Sequence, residues 1–426
     1  MKIKDLHALL LNFPKVCTDT RKLAKNDIFF ALKGENYNGN AFAKQAVTDG
    51  AKYAVIDEAE YQTSEQYLLV ENVLETLQAL ATYHRTYLNV PIIALTGSNG
   101  KTTTKELINA TLSQHYKTTA TVGNLNNHIG VALTLLSMTK QTEIGIVEMG
   151  ANHLREIAFL CAIAKPDYGY ITNFGKAHLE GFGGVEGVIK GKTELYNYLK
   201  KNDKLIFVNG NDPKQQTLSQ GGNVYSFGKT NDSEVIIQFI EAQPFVTCEF
   251  DGHRIQTHLI GEYNFSNISS AICIANYFEV SAENIKKGLE SYTPKNNRSQ
   301  IIKKAGVKII LDAYNANPTS MTAALTNFDQ LKDHYKIAIL GDMFELGNEA
   351  KTEHQSITNL ASDLNIDEII LVGENFYKTE SVSQKTTKFK SFEALKQDFK
   401  IPSNKKTTLL IKGSRGMALE RLLDVL

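Results

Sequence analysis

The chain predicts an α/β fold built as three domains, and three observations carry that expectation. Its 426 residues exceed what one ordinary core can organise. Short apolar runs alternate with helical patterns from Pro91 onward, and the alternation restarts near residue 295. A glycine-rich turn ending in Lys-Thr follows the first of those runs. Domains are therefore expected over residues 1–88, 89–294 and 295–426.

In the first block, strand-like runs at Ile28 to Leu32 and Tyr53 to Ile56 mix with helical pieces. The stretch Leu74 to Leu88 reads as helix and leads into Asn89-Val90-Pro91, a boundary because proline disfavours helix in the residue before it. In the second block, apolar runs at Ile92 to Leu95, Ile144 to Met149, Tyr168 to Thr172 and Leu205 to Val208 argue a mostly parallel sheet covered on both faces. Val235 to Leu259 carries short strands around Asp251-Gly252, expected as an antiparallel edge. In the third block, strands are expected at Val307 to Leu311, Ile337 to Leu340, Ile369 to Val372 and Leu409 to Ile411. A helix should begin at Asn317-Pro318, with asparagine as N-cap and proline at the first helical position.

Composition narrows the function classes. Lys plus Arg equals Asp plus Glu, 46 each, so bulk charge does not point to nucleic acid and a polyanion would have to be small and locally recognised. The four cysteines lack any C-x-x-C spacing and read as reduced core thiols of a cytoplasmic protein. Neither a signal-peptide pattern nor a membrane span is expected.

The chemistry concentrates at predicted strand ends. Gly97-Ser98-Asn99-Gly100-Lys101-Thr102-Thr103 makes a phosphate cradle: backbone N–H groups and the helix dipole face the anion, Lys101 adds charge, and Thr102 offers a hydroxyl to magnesium, with Thr103 the adjacent alternative. The longer G-x-x-x-x-G-K-[ST] pattern would need glycine at 95, where leucine stands. Glu148 ends an apolar strand, either capping a following helix or supplying a carboxylate to magnesium near the phosphates. His178 lies in a glycine-punctuated loop and is a surface residue or a metal ligand. Apolar residues at Val185, Val188, Ile189, Leu195, Tyr196 and Leu199 step by threes and fours through Lys192, which places that lysine on the inward stripe and Lys190 outward. An inward lysine needs a partner, altered chemistry or a route for its ammonium to the rim. Glu148, Asn173, Asp312, Asp342 and Lys412 all sit at or just past strand carboxyl ends, where open parallel sheets bind ligands. Asp212 reads as a turn residue.

Together these segments resemble the Mur ligases, ATP-dependent amide-forming enzymes of peptidoglycan synthesis. TGSNGKTT resembles their phosphate loop, VEMGAN their metal-carboxylate segment, and NFGKAHLEGFGG followed by GKTELY their histidine and lysine pair. CTDTR and FFALKG resemble their N-terminal domain, which holds the UDP part of the substrate; by that resemblance Thr20, Arg21, Lys33 and Gly34 contact it. The resemblance implies a small UDP-binding α/β domain, a central P-loop ATPase domain and a C-terminal Rossmann-like domain that closes over ATP. It implies ATP and Mg²⁺, with Thr102, Glu148, His178 and a carbamylated Lys192 around the metal, and catalytic roles for Lys101, Glu148, His178 and Lys192. Asn264, Arg298, Asp312 and Asn315 are implied at the nucleotide. GNLNNHIG, DAYNANPTSM, LGDMFELG and KGSRGM are similar to the branch that joins D-alanyl-D-alanine to UDP-N-acetylmuramoyl-tripeptide, with Asn126, Asn127, Asp342, Lys412, Ser414 and Arg415 shaping substrate sites. NANP stands where diaminopimelate-adding relatives have a D-N-P-R element, and Tyr263 stands where the family often has histidine. A monomer without nucleic-acid partners is expected. The alternatives are another ligase of the superfamily, such as a folylpolyglutamate synthase, or a P-loop module that only senses ATP.

Overall fold

The computed structural model describes residues 1–295, 297–381, 383–402 and 405–426. Its N-terminal part holds a four-stranded parallel sheet in the spatial order Val16–Cys17, Ile28–Phe30, Tyr53–Ile56, Tyr67–Leu69. The helix Val73–Leu88 starts on an Asn72 side chain that accepts the Glu75 amide and stops at Asn89 in the left-handed region. Its buried face (Leu77, Leu80, Ala81) meets Leu6 and Leu10 of the helix Ile3–Asn12 within one continuous apolar core.

That junction contains a histidine relay. His84 Nε2 lies 2.9 Å from the Met138 carbonyl, which can only accept, so this nitrogen carries a proton. His84 Nδ1 is then the acceptor for His7 Nε2, 3.0 Å away. Both rings are buried, and burial, first of all, draws each below the ordinary histidine value. Below about pH 6.5 the unfolded chain therefore takes up protons that the folded chain refuses, so stability is full above that value and falls as pH drops toward the lowered one. The thermal midpoint should decline as pH falls below about 6.5, and His84→Gln should flatten that slope; an equal slope in both proteins would remove the relay as its cause. Each unit of lowering is worth about 1.4 kcal/mol.

The central part is a seven-stranded sheet, parallel throughout, in the order Val235–Ile236, Asn223–Gly228, Leu205–Asn209, Tyr168–Ile171, Ile92–Thr96, Ile144–Glu148, Thr118–Ala120. Ile92–Thr96 and Ile144–Glu148 are buried along their whole length, as strands covered on both faces must be. The 235–259 region departs from expectation. Only Val235–Ile236 joins the large sheet, and it does so in parallel. Gln238–Glu241, Thr247–Phe250 and His253–Gln256 form a separate antiparallel sheet, turned at Asp251-Gly252, whose apolar face (Cys248, Phe250, Ile255) packs into its own side of the core.

The C-terminal part is a six-stranded sheet, Gln300–Lys304, Val307–Asp312, Thr407–Lys412, Tyr335–Gly341, Glu368–Val372, Thr386–Phe389, parallel except for its first strand. The helix Pro318–Gln330 opens with a full capping box between Asn317 and Ser320, and proline occupies its first turn. Asp212 caps the helix Pro213–Ser219, accepting the Lys214 and Gln215 amides. All four cysteines are free and buried. Among the described residues no helix is long and apolar enough to cross a membrane.

Candidate active site between the central and C-terminal sheets

Ile92–Thr96 runs between Tyr168–Ile171 and Ile144–Glu148, so the loop that follows it emerges with strand ends on either side. Gly97 has φ 142°, and a Cβ there would collide with Thr172 Oγ1. Gly100 is left-handed and ends the turn where the helix Lys101–Leu112 begins. Asn173, from the neighbouring strand end, pins the loop: its carbonyl accepts the Ser98 amide at 3.0 Å, its side-chain oxygen the Asn99 amide at 3.1 Å, and its Nδ2 donates to the Asn99 carbonyl at 3.0 Å. Lys101 folds its ammonium back on the loop, donating to the Gly97 carbonyl at 2.8 Å and the Ser98 carbonyl at 3.3 Å. Burial lowers its pKa, Glu148 opposes that, and Arg298 adds to it.

Glu148 is 1 % exposed. Its Oε1 accepts from Thr102 Oγ1 at 3.1 Å and Asn126 Nδ2 at 2.7 Å, while Oε2 is buried with no partner. A buried carboxylate oxygen without a donor is costly unless a cation faces it. The oxygen pair Glu148 and Thr102, beside a phosphate cradle, fits a hard divalent ion such as Mg²⁺, whose shell phosphate oxygens and water would complete. Among the described residues, no three His, Cys, Asp or Glu side chains converge to hold a metal by themselves.

Lys192 is fully buried on the inward face of the helix Val185–Lys201, while Lys190 points to solvent. Its ammonium donates to the Ala151 carbonyl at 3.1 Å and lies 4.9 Å from the Phe182 ring centre. Burial, then the like charge of Lys101, drives its pKa well below the ordinary lysine value. Val185, expected on the same stripe, is exposed because it begins the helix, beyond the reach of the core.

His178 meets the central domain's partner across the cleft: its Nδ1 lies against the Glu345 carboxylate of the C-terminal part. Other bonds close the same gap, Asn317 Nδ2 to Asn99 Oδ1 at 2.7 Å, the Lys176 amide to Thr319 Oγ1 at 2.9 Å and Lys176 Nζ to Glu353 Oε1 at 2.5 Å. The cleft so bounded encloses 920 Å³ and is lined by Ser98 to Thr103, Asn126, Asn127, Glu148, His178, Asn264, Arg298, Asp312, Asn315 and Lys412 together. Arg298 stacks 3.6 Å over the Tyr314 ring centre. Asp312 accepts the Ser299 amide at 2.9 Å and Lys412 Nζ at 2.6 Å, and Lys412 also reaches the Asn315 carbonyl at 3.2 Å. Tyr263 Oη meets Ser299 Oγ at 3.0 Å on the same wall.

Several expected residues stand elsewhere. Asp342 spends both carboxylate oxygens on the Asn375 and Phe376 amides, holding the helix Glu374–Tyr377, and Ser414 Oγ accepts the Phe344 amide at 2.8 Å. Arg415 is exposed and paired with Glu420. Asp342 and Ser414 brace the wall from behind it and Arg415 stands outside it; Phe344 and Glu345 are the residues of the LGDMFELG segment that line the cleft. Thr20, Arg21, Lys33 and Gly34 lie on the N-terminal part, with Arg21 paired to Asp19 and Lys33 to Asp57 and Glu58. Asn173, expected at a ligand-binding strand end, does line the cleft, whereas Asn317, Glu345 and the apolar pair Leu154 and Phe159 belong to it and were not singled out for it by sequence. Glu345 lies inside LGDMFELG and Asn317 inside NANP, so motif membership was the available signal.

Known proteins match along the whole chain. Residues 13–85 match the Mur ligase family catalytic domain, 95–275 the Mur ligase middle domain and 297–415 the Mur ligase glutamate ligase domain. A Bacillus subtilis protein described as UDP-N-acetylmuramoyl-tripeptide--D-alanyl-D-alanine ligase is 35% identical over 423 residues, covering 96% of this chain and 92% of its own. A crystal structure of MurF from Acinetobacter baumannii superposes with a TM-score of 0.85 at 31% identity, covering 96% of this chain and 92% of that one. MurF ligase from Thermotoga maritima in complex with ADP gives 0.83 at 26% identity, covering 98% and 97%. With that agreement in all three parts and a phosphate cradle facing a buried carboxylate between two of them, the chain belongs to the Mur ligase family.

Proposed function

We propose that this protein is an ATP-dependent ligase that joins the carboxyl end of UDP-N-acetylmuramoyl-tripeptide to the amine of D-alanyl-D-alanine, in the cytoplasm, yielding the pentapeptide, ADP and phosphate. The observation that carries the reading is the full-length likeness to relatives of that description, together with a cleft in which Lys101, Glu148 and the C-terminal wall converge. A free carboxylate is a poor acyl donor. Its oxygen attacks the γ-phosphorus of ATP, the bond to ADP breaks, and an acyl phosphate forms. The neutral amine of the dipeptide then attacks the acyl carbon, loses its proton, and phosphate leaves.

The residues divide this work. Lys101 and the loop amides hold charge on the transferring phosphoryl group. Glu148 and Thr102 would hold Mg²⁺, which when bound neutralises phosphate charge. Arg298, Tyr314, Asn264, Asp312 and Asn315 line the nucleotide wall, and Asn126 and Asn127 face the acceptor. The His178–Glu345 and Asn99–Asn317 contacts keep the parts closed, excluding water from the acyl phosphate. Incubation with both substrates and ATP should give a product heavier by the dipeptide residue mass, with stoichiometric ADP. Turnover on a folate with glutamate, and none on these substrates, would overturn the assignment.

Lys192 is the remaining anionic candidate. Burial, and after it the like charge of Lys101, lowers the pKa of Lys192 and so favours its neutral amine, from which the nitrogen can add CO₂, form an N–C bond and release a proton, leaving a carbamate. Lys192→Ala should lose about a hundredfold or more in turnover and recover in part with formate or acetate. A protein equilibrated with ¹³C-bicarbonate that shows no carbamate resonance, and no rescue, would sink this role.

A further inference from the structure

Lys105 is a fully buried lysine on the phosphate-loop helix, one turn beyond the part-exposed Lys101, and the mechanism above makes no use of it. Its ammonium donates to the Thr121 carbonyl at 2.6 Å and the Gly123 carbonyl at 3.3 Å, with Glu106 Oε1 at 2.8 Å as counter-charge. Both carbonyls belong to the segment that runs from the edge strand Thr118–Ala120 to the helix Gly130–Leu136. That segment carries Asn124, Asn126, Asn127 and His128 to the cleft wall, on the side that the ligase reading gives to the acceptor.

The segment has little packing of its own. Val122 is 74 % exposed, and a Cβ on Gly123 would meet nothing within 4 Å. Its anchors are polar: Thr121 Oγ1 accepts the Glu148 amide at 3.0 Å, Asn126 Nδ2 donates to Glu148 Oε1, and Asn127 Oδ1 accepts the Gly130 amide at 2.9 Å. Lys105 is the cation of that set, and it reaches the segment from the helix that follows the phosphate loop.

We propose that Lys105 is a positioning residue that holds the acceptor-side segment 121–127 in register with the phosphate loop, setting where the peptide carboxyl lies relative to the γ-phosphorus. The inference rests on the ligase reading. Its mechanical content is that one rigid helix fixes nucleotide through Lys101 and acceptor through Lys105. Removing the second clamp should loosen the acceptor without loosening the nucleotide.

The test is steady-state kinetics on full-length Lys105→Met, which keeps the stem and removes the donor. The KM for UDP-N-acetylmuramoyl-tripeptide should rise about tenfold to a hundredfold, with the KM for ATP within about twofold. Lys105→Gln, whose amide can still reach one carbonyl, should fall between; it carries the same comparison if the methionine protein does not fold. An acceptor KM unchanged in either variant, or parallel loss of acceptor and ATP binding, would overturn the positioning role. Parent protein inactive on these substrates would instead defeat the ligase reading, so the two failures are distinguishable.

Discussion

Lys101→Ala is expected to lower turnover by about 10²- to 10³-fold while the protein still unfolds cooperatively near its normal midpoint. The side chain is partly exposed to the cleft and bonds only to carbonyls of its own loop, so little of the core depends on it. In the proposed reaction it supplies a cation within reach of the transferring phosphoryl group, where charge develops in the transition state and water is excluded. The loss should therefore appear in kcat as well as in kcat/KM for ATP. Single-turnover measurement of acyl-phosphate formation isolates the step. Turnover within about threefold of the parent, in a folded protein, would mean that the loop does not cradle the γ-phosphate.

Glu148→Gln is expected to be the next most damaging change, costing about a hundredfold in turnover and raising the half-saturating Mg²⁺ concentration at least about tenfold. Glutamine keeps the shape and can still accept from Thr102 and Asn126 through one oxygen. It replaces the unpartnered Oε2 by an N–H₂ group that repels a cation. Stability should hold or rise, because a buried carboxylate loses its charge. Magnesium titrations of activity, with melting curves alongside, decide it. An unchanged magnesium requirement would return Glu148 to a purely structural role, bracing Thr102 and Asn126.

Local pattern explains which parts of this architecture were readable. Ile92 to Leu95 and Ile144 to Met149 are short apolar runs flanked by turn residues, and such runs admit few placements other than a buried strand. Lys192 was legible as inward because helical periodicity survives across the whole segment Val185–Lys201. The edge strands Thr118–Ala120 and Thr386–Phe389 were not, since half-exposed threonines and lysines alternate weakly there. The antiparallel sheet from Gln238 to Gln256 was seen as strands, yet its separation from the parallel sheet depends on which surface its apolar side covers.

The site divides along the same line. Phosphate-loop identity follows from Gly97, Gly100, Lys101 and Thr102, because consecutive residues there determine backbone turn, dipole and charge together. Asn173 pinning that loop, Glu345 against His178 and Asn317 bonded to Asn99 join residues distant along the chain.

By itself, then, the order of amino acids determined the α/β class, the nucleotide loop, the inward lysine and the family likeness, all of which are written in neighbouring residues or helical spacing. Only the tertiary structure decided that Ile92–Thr96 lies between strands 168–171 and 144–148, that Glu148 keeps one carboxylate oxygen free, and that Lys105 clamps the segment 121–127. The physical reason is range. Backbone propensity and periodicity act over a few residues, whereas a buried charge's partner is chosen by how whole elements pack.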